Sequence, residues 1–302
     1  MVIEFNHLYK QYNSKSKWAL EDINYSCDNL EPLGVIGNNG AGKTTLFMVS
    51  NGFIHPTSGD VYIHGVSLRQ KEQISKMTGL FTDQLRLYAK LTVKETIQYF
   101  MGIYNISNKE YEGWVRRFHI KEYEKKKIPE LSRGMFAKVM LLISMLNYPE
   151  VLFLDEPFWG LDVESKSELS EIILQLYTEN KVKVVIASQD LYETQELIQD
   201  LIILEKGKII ESGRYHSLIQ KYSKNALKRV VCENDREILE KYESYMIQKD
   251  EEQLTLELNL VNFNEFMADT DTSKIINILN HDMSLEDVYR EAKKNAVMGF
   301  DK

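Results

Sequence analysis

The sequence has 302 residues, 43% hydrophobic and 27% charged, with 37 Lys+Arg against 45 Asp+Glu. That composition supplies a globular chain with material for a real core, and at roughly 150 residues per domain the length predicts about two domains. A net charge of -8 speaks against a general binder of nucleic acid or anionic membrane, and apolar runs such as Val139 to Leu146 fall far short of the ~20 residues of a membrane span.

The start, Met1-Val2-Ile3-Glu4-Phe5, has neither the basic opening nor the apolar stretch of a signal peptide, so any membrane part is expected on another chain. There is no internal repeat and no low-complexity segment. Val2 to Leu8 and Ala19 to Cys27 read as strands, and Leu33 to Ile36 as a short apolar strand running into a glycine-rich turn with a helix from Lys43. Val61 to Ile63 leads into the turn His64-Gly65, and Gly79 to Phe81 is another short strand. From about Leu91 to Tyr148 amphipathic helical stretches dominate. Strands return at Val151 to Leu154, Val182 to Ala187, Leu201 to Leu204 and Lys208 to Ile210, with helices at Glu164 to Tyr177 and Leu191 to Ile198. Strands alternating with helices predict a parallel α/β sheet, with residues 91–148 as a helical insertion.

After about Gln220 the pattern changes. Leu227 to Cys232, Ser244 to Ile247, Gln253 to Leu260 and Ile275 to Leu279 read as strands. Asp235 to Lys241, Phe263 to Met267 and Leu285 to Lys294 read as helices, the last capped by Ser284 with Asp287 in an acidic variant of the capping box. The order β-α-β-β-α-β predicts a small α+β domain of the split βαβ, ferredoxin-like kind. The expected domains are therefore 1–220 and 221–302, the second more acidic than basic. Cys27 and Cys232 match no metal or redox spacing and read as reduced, ordinary residues.

Gly37-Asn38-Asn39-Gly40-Ala41-Gly42-Lys43-Thr44 fits G-x-x-x-x-G-K-[ST]. Glycines let backbone N–H groups curl around phosphate oxygens, Lys43 reaches the β- and γ-phosphates, and the Thr44 hydroxyl is offered to Mg²⁺. Thr45 follows in the same turn. Val151-Leu152-Phe153-Leu154-Asp155-Glu156 supplies the other half: Asp155, at the carboxyl edge of the sheet, is a Mg²⁺ partner, and Glu156 can polarise an attacking water. The pair predicts a nucleoside triphosphate site holding ATP and Mg²⁺.

With Leu131-Ser132-Arg133-Gly134-Met135 about twenty residues before Asp155, residues 1–220 resemble the ATP-binding subunit of ABC transporters. The pentapeptide matches that family's L-S-G-G-Q signature at three of five positions. The resemblance implies a P-loop ABC cassette with a mixed sheet core and a helical subdomain. It also implies a head-to-tail dimer in which Ser132 and Gly134 of one subunit cap the γ-phosphate held by the other. Tyr12 falls at the adenine-stacking position, Gln84 in the loop that touches Mg²⁺ and relays to the membrane subunit, and Leu87 to Val93 in the docking region. Asp162 of Gly160-Leu161-Asp162 falls in the loop that crosses the dimer, and also reads as a helix cap.

The departures from the family pattern are informative. The family's histidine after the strand Val182 to Ala187 is here Gln189, which can donate to phosphate but cannot become cationic. Arg133 replaces a glycine and Met135 a glutamine. The resemblance implies an ATPase subunit at the cytoplasmic face of the cell membrane, slowed by Gln189. It would pair with a second ATP-binding subunit and a transmembrane permease, without nucleic acid and without inserting in the membrane itself. The Arg and Met variants and the C-terminal appendage resemble those of exporter-type ATPase subunits, and that resemblance implies export of a drug, antibiotic or antimicrobial peptide. The alternatives are a soluble ABC ATPase on ribosome or DNA, and a slow nucleotide sensor beside a more active subunit.

Overall fold

Strand β1 (Ile3–Lys10) turns Ile3, Phe5 and Leu8 inward, and its pairing with β2 (Leu20–Cys27) shifts register between Phe5 and Leu8, where the inward alternation breaks. The computed structural model describes residues 1–82, 85–189, 191–223, 228–258, 260–280 and 284–300. In chain order there follow β3 (Leu33–Ile36), α1 (Lys43–Ser50), β4 (Ser58–Ile63), β5 (Val66–Ser67), α2 (Lys71–Met77) and β6 (Thr78–Phe81). The helical stretch holds α3 (Val93–Ile103), α4 (Tyr111–Arg117) and α5 (Arg133–Met145). Next come β7 (Val151–Asp155), α6 (Val163–Asn180), β8 (Lys183–Ser188), α7 (Leu191–Gln195), β9 (Asp200–Glu205) and β10 (Lys208–Arg214).

These strands form two sheets. One is antiparallel, in the order β2-β1-β4-β5; the other has the order β10-β9-β3-β8-β7-β6 and is parallel except for β10, which runs antiparallel to β9. Every residue of β3, β7 and β8 is buried, as expected of strands covered on both faces. Along β7 the side chains divide by parity. Val151 and Phe153 join the core beneath α1, where Phe153 meets Phe47 edge-on at 5.1 Å; Leu152 and Leu154 face the helical part. The central sheet is thereby clamped between two cores.

The helical part begins where Thr92 and Glu95 cap α3 reciprocally: Glu95 N–H donates to the Thr92 hydroxyl at 3.2 Å, and Thr92 N–H to the Glu95 carboxylate at 2.8 Å. Three local readings are corrected. Helix α2 was not expected, because its seven residues bury only Ile74 and carry no apolar period. The helix expected to reach Ile198 stops at Gln195; the Leu197 and Ile198 N–H groups both turn back to the Thr194 carbonyl, which seats Ile198 against Gly34. Strand β10 runs past Ile210 to Arg214, because its pairing with β9 continues beyond an irregularity between Ile209 and Glu211.

Residues Met1–Arg214 and Tyr215–Asn295 form two compact units. The second begins with α8 (Tyr215–Ser223) and continues through β11 (Lys228–Glu233), α9 (Arg236–Tyr242), β12 (Met246–Lys249), β13 (Gln253–Leu258), α10 (Leu260–Asp269), β14 (Ile275–Asn280) and the part of α11 (Leu285–Phe300) up to Asn295; the residues from Ala296 on group with the first unit. Its sheet has the order β12-β13-β11-β14 with every pair antiparallel, the split βαβ arrangement. Leu254, Leu256 and Leu258 alternate inward against Phe266. Helix α10 starts earlier and ends later than Phe263 to Met267, and α11 outruns Lys294, because no glycine or proline stops either helix there. Ser284 and Asp287 cap α11 reciprocally. Both cysteines are buried and unbridged. Among the described residues no helix is long and apolar enough to cross a membrane.

Candidate nucleotide-binding site

The loop between β3 and α1 owes its glycines to two different demands. A Cβ at Gly37 would lie 2.5 Å from the Leu204 carbonyl, and one at Gly42 would lie 2.5 Å from the Ala19 carbonyl, so neighbouring backbone fixes these two positions. Gly40 instead has φ +79 with nothing within 4 Å of a Cβ, a left-handed turn facing open space. Ala41 N–H closes onto the Asn38 carbonyl at 3.0 Å, and Gly207 N–H holds the Ala41 carbonyl at 2.9 Å. Asn39 lies on the rim of the adjoining cavity.

Lys43 opens α1 with its side chain only 6% exposed. Its ammonium donates to the Gly37 carbonyl at 2.6 Å and lies 3.2 Å from Glu156 Oε1. Glu156 follows Asp155 off the end of β7 with φ +51, the left-handed region that an L side chain seldom takes. Its other carboxylate oxygen accepts from the Gln189 N–H at 3.2 Å and from the Ser188 hydroxyl at 3.5 Å. Gln189 therefore meets Glu156 through its backbone, a contact that depends on the course of β8 and not on the side chain.

Thr44, Asp155, Glu156 and Gln189 line a cavity of about 670 Å³, together with Ser132 and Trp159. Ser132 caps α5, accepting from Met135 N–H at 3.2 Å. Gly134 packs so close to α6 that a Cβ would collide with the Ser165 hydroxyl. Asp162 caps α6 at 2.8 Å from Ser165 N, and the Ser165 N–H and hydroxyl hold its carboxyl below the usual aspartate range. Within this protomer Ser132 and Asp162 thus act as helix caps. Tyr12 exposes its ring, with the Lys10 ammonium 5.3 Å from the ring centroid, and its hydroxyl lies 3.1 Å from Thr45 Oγ1. Gln84, expected at the metal, lies outside the described residues.

The residues present suit a magnesium nucleotide. A nearly buried ammonium, a glycine at positive φ opening into space and the start of a helix offer donors to phosphate. Thr44 and the buried Asp155 offer the hard oxygen ligands that Mg²⁺ takes alongside phosphate. Sequence reasoning missed Trp159. Its signal was an aromatic pair, Phe158-Trp159, placed directly after Glu156-Pro157 in a turn.

The ABC transporter family model matches residues 20–159. The chain is similar to the bacitracin transport ATP-binding protein BcrA of Bacillus licheniformis, 31% identical over 212 residues, which are 70% of this chain and 69% of that protein. It is also similar to the methionine import ATP-binding protein MetN of Staphylococcus saprophyticus, 27% identical over 99% of this chain and 90% of that protein. A solved ATP-binding subunit of an ABC transporter superposes with a TM-score of 0.64 at 26% identity, covering 74% of this chain and 93% of that one.

Proposed function

The chain belongs to the ATP-binding subunits of ABC transporters, and from that premise we propose how its residues turn ATP hydrolysis into transport. It is an ATPase that binds ATP with Mg²⁺. The observation that carries our reading is the convergence of Lys43, Glu156 and Gln189 beside Thr44 and Asp155. The Gly37–Gly42 backbone and Lys43 hold the phosphates, with Thr45 beside them and Tyr12 stacking on adenine. Thr44 and Asp155, with Gln84, hold the Mg²⁺, whose chemistry is to offset charge on the phosphate oxygens. The triphosphate draws the Lys43 ammonium from Glu156, and the freed carboxylate accepts the proton of the attacking water.

In the dimer, Ser132 and Gly134 present the start of α5 to the γ-phosphate on the opposite subunit, and Asp162 crosses the interface. Closure pulls the region from Leu87 to Val93 against a separate permease, at the cytoplasmic face of the membrane. The direction we propose is export of a drug, antibiotic or antimicrobial peptide. The L-S-R-G-M sequence and the likeness to an antibiotic transport protein support this; the likeness to a methionine importer is the competing indication. Residues 221–302 serve as an accessory module.

Detergent extraction of membranes with tagged chain tests the assignment. The expected result is one complex with a multi-span membrane protein that, reconstituted in vesicles with the ATPase outward, moves a peptide antibiotic inward on addition of ATP. Recovery of ribosomal RNA without a membrane protein overturns the transporter reading, and ATP-driven movement outward overturns export.

Gln189 sets the pace in this reading, because its side chain cannot carry charge or a proton near neutral pH. Gln189→His is expected to raise single-turnover ATP cleavage by about tenfold, less than the hundredfold or more of a general base because Glu156 already fills that role. Rapid-quench measurement on the purified dimer checks it. A variant no faster than a wild type that already turns over at ordinary rates removes the role.

A further inference from the structure

The turn that follows Glu156 is gripped by a side chain from another helix. Trp159 N–H donates to the Glu156 carbonyl and Leu161 N–H to the Phe158 carbonyl, both at 3.2 Å, so the backbone doubles back directly after the carboxylate-bearing residue. The Trp159 side chain is 60% exposed, so burial alone does not fix it. Arg133, the first residue of α5, lies over the ring with its guanidinium carbon 4.8 Å from the centroid. Arginine over the face of an indole is the most favourable pairing of a side-chain cation with a ring. The same guanidinium rests on Gly160, which has φ +70 and where any side chain would run into it. Beside it, the contact of Gly134 with Ser165 presses the first turns of α5 and α6 together.

We propose that Arg133 and Trp159 form a clamp that positions Glu156, making ATP cleavage conditional on where α5 sits. With the stack made, the Glu156 carbonyl is held by Trp159 N–H and its carboxylate keeps its alignment with Gln189 N–H and Ser188. With the stack broken, the turn relaxes and the carboxylate drifts from the line it must hold toward water. Neither residue touches the reacting atoms in this scheme; both are positioning residues. The inference rests on the reading of Glu156 as general base.

The test is steady-state ATP hydrolysis by the full chain with Arg133→Ala, Trp159→Ala, the double variant, Arg133→Lys and Trp159→Phe. Each alanine variant is expected to lower kcat about three- to fivefold, the reach of one exposed cation–ring contact. KM should stay within about twofold, since ground-state binding of ATP is untouched and only transition-state stabilisation is lost. The double variant should be no slower than the singles, and the lysine and phenylalanine variants should recover most of the rate. A raised KM with unchanged kcat overturns the clamp and makes Arg133 a nucleotide contact. Losses that multiply in the double variant, or that follow a fall in Tm and are not recovered by the conservative variants, also overturn it. If instead Glu156→Gln cleaves ATP at the wild-type rate, it is the general-base reading that has failed.

Discussion

Replacing Glu156 by glutamine is expected to lower single-turnover ATP cleavage about a thousandfold, the middle of the range for a positioned general base. The amide keeps the size of the carboxylate and can still accept from Gln189 N–H, which stands 3.2 Å away. What it loses is the charge that accepts a proton and that stands 3.2 Å from the Lys43 ammonium. ATP binding should therefore survive and become somewhat tighter, because the phosphates no longer compete with a carboxylate for Lys43. Release of labelled phosphate from γ-labelled ATP, beside equilibrium binding of ATP, checks both halves. Cleavage at the wild-type rate would move the base elsewhere in the cavity.

The second large effect has the opposite signature. Lys43→Ala is expected to weaken ATP binding about a hundredfold, the equivalent of about 2–3 kcal/mol for charge-assisted bonds to phosphate. Without nucleotide the fold should lose little, since Glu156 is 24% exposed and regains water when its cation leaves. Titration of ATP by calorimetry, with the thermal midpoint of the nucleotide-free protein measured alongside, separates a binding defect from unfolding. Wild-type affinity in this variant would mean that the loop is not the phosphate site. One substitution is expected to slow cleavage while sparing binding, and the other to weaken binding itself.

The parts of this site that were legible in the sequence are those whose chemistry is local. The glycines, Lys43 and Thr44 stand in one short segment, and Asp155 and Glu156 end an apolar run whose burial on both faces requires a central strand. The β-α-β-β-α-β order of the second unit was legible for the same reason, as was the Ser284–Asp287 cap. Contacts made across the fold were not. Nothing in the neighbourhood of Arg133 says that its guanidinium meets Trp159, and nothing around Tyr12 says that its hydroxyl meets Thr45. Helix α2 stayed hidden because a single buried residue, Ile74, leaves no period to read. The end of α7 stayed hidden because a tertiary fit, Ile198 against Gly34, outweighs a run of helix-compatible residues.

The backbone of Glu156 has a bearing on protein engineering. At φ +51 an L residue gives up about 1–2 kcal/mol that glycine would keep. A campaign that ranks variants by thermal tolerance alone would favour glycine at this position, and would remove the carboxylate to which we assign the chemistry. Screens for hardier forms of this subunit therefore need turnover as a second criterion, since position 156 is where resistance to heat and work done per ATP pull apart.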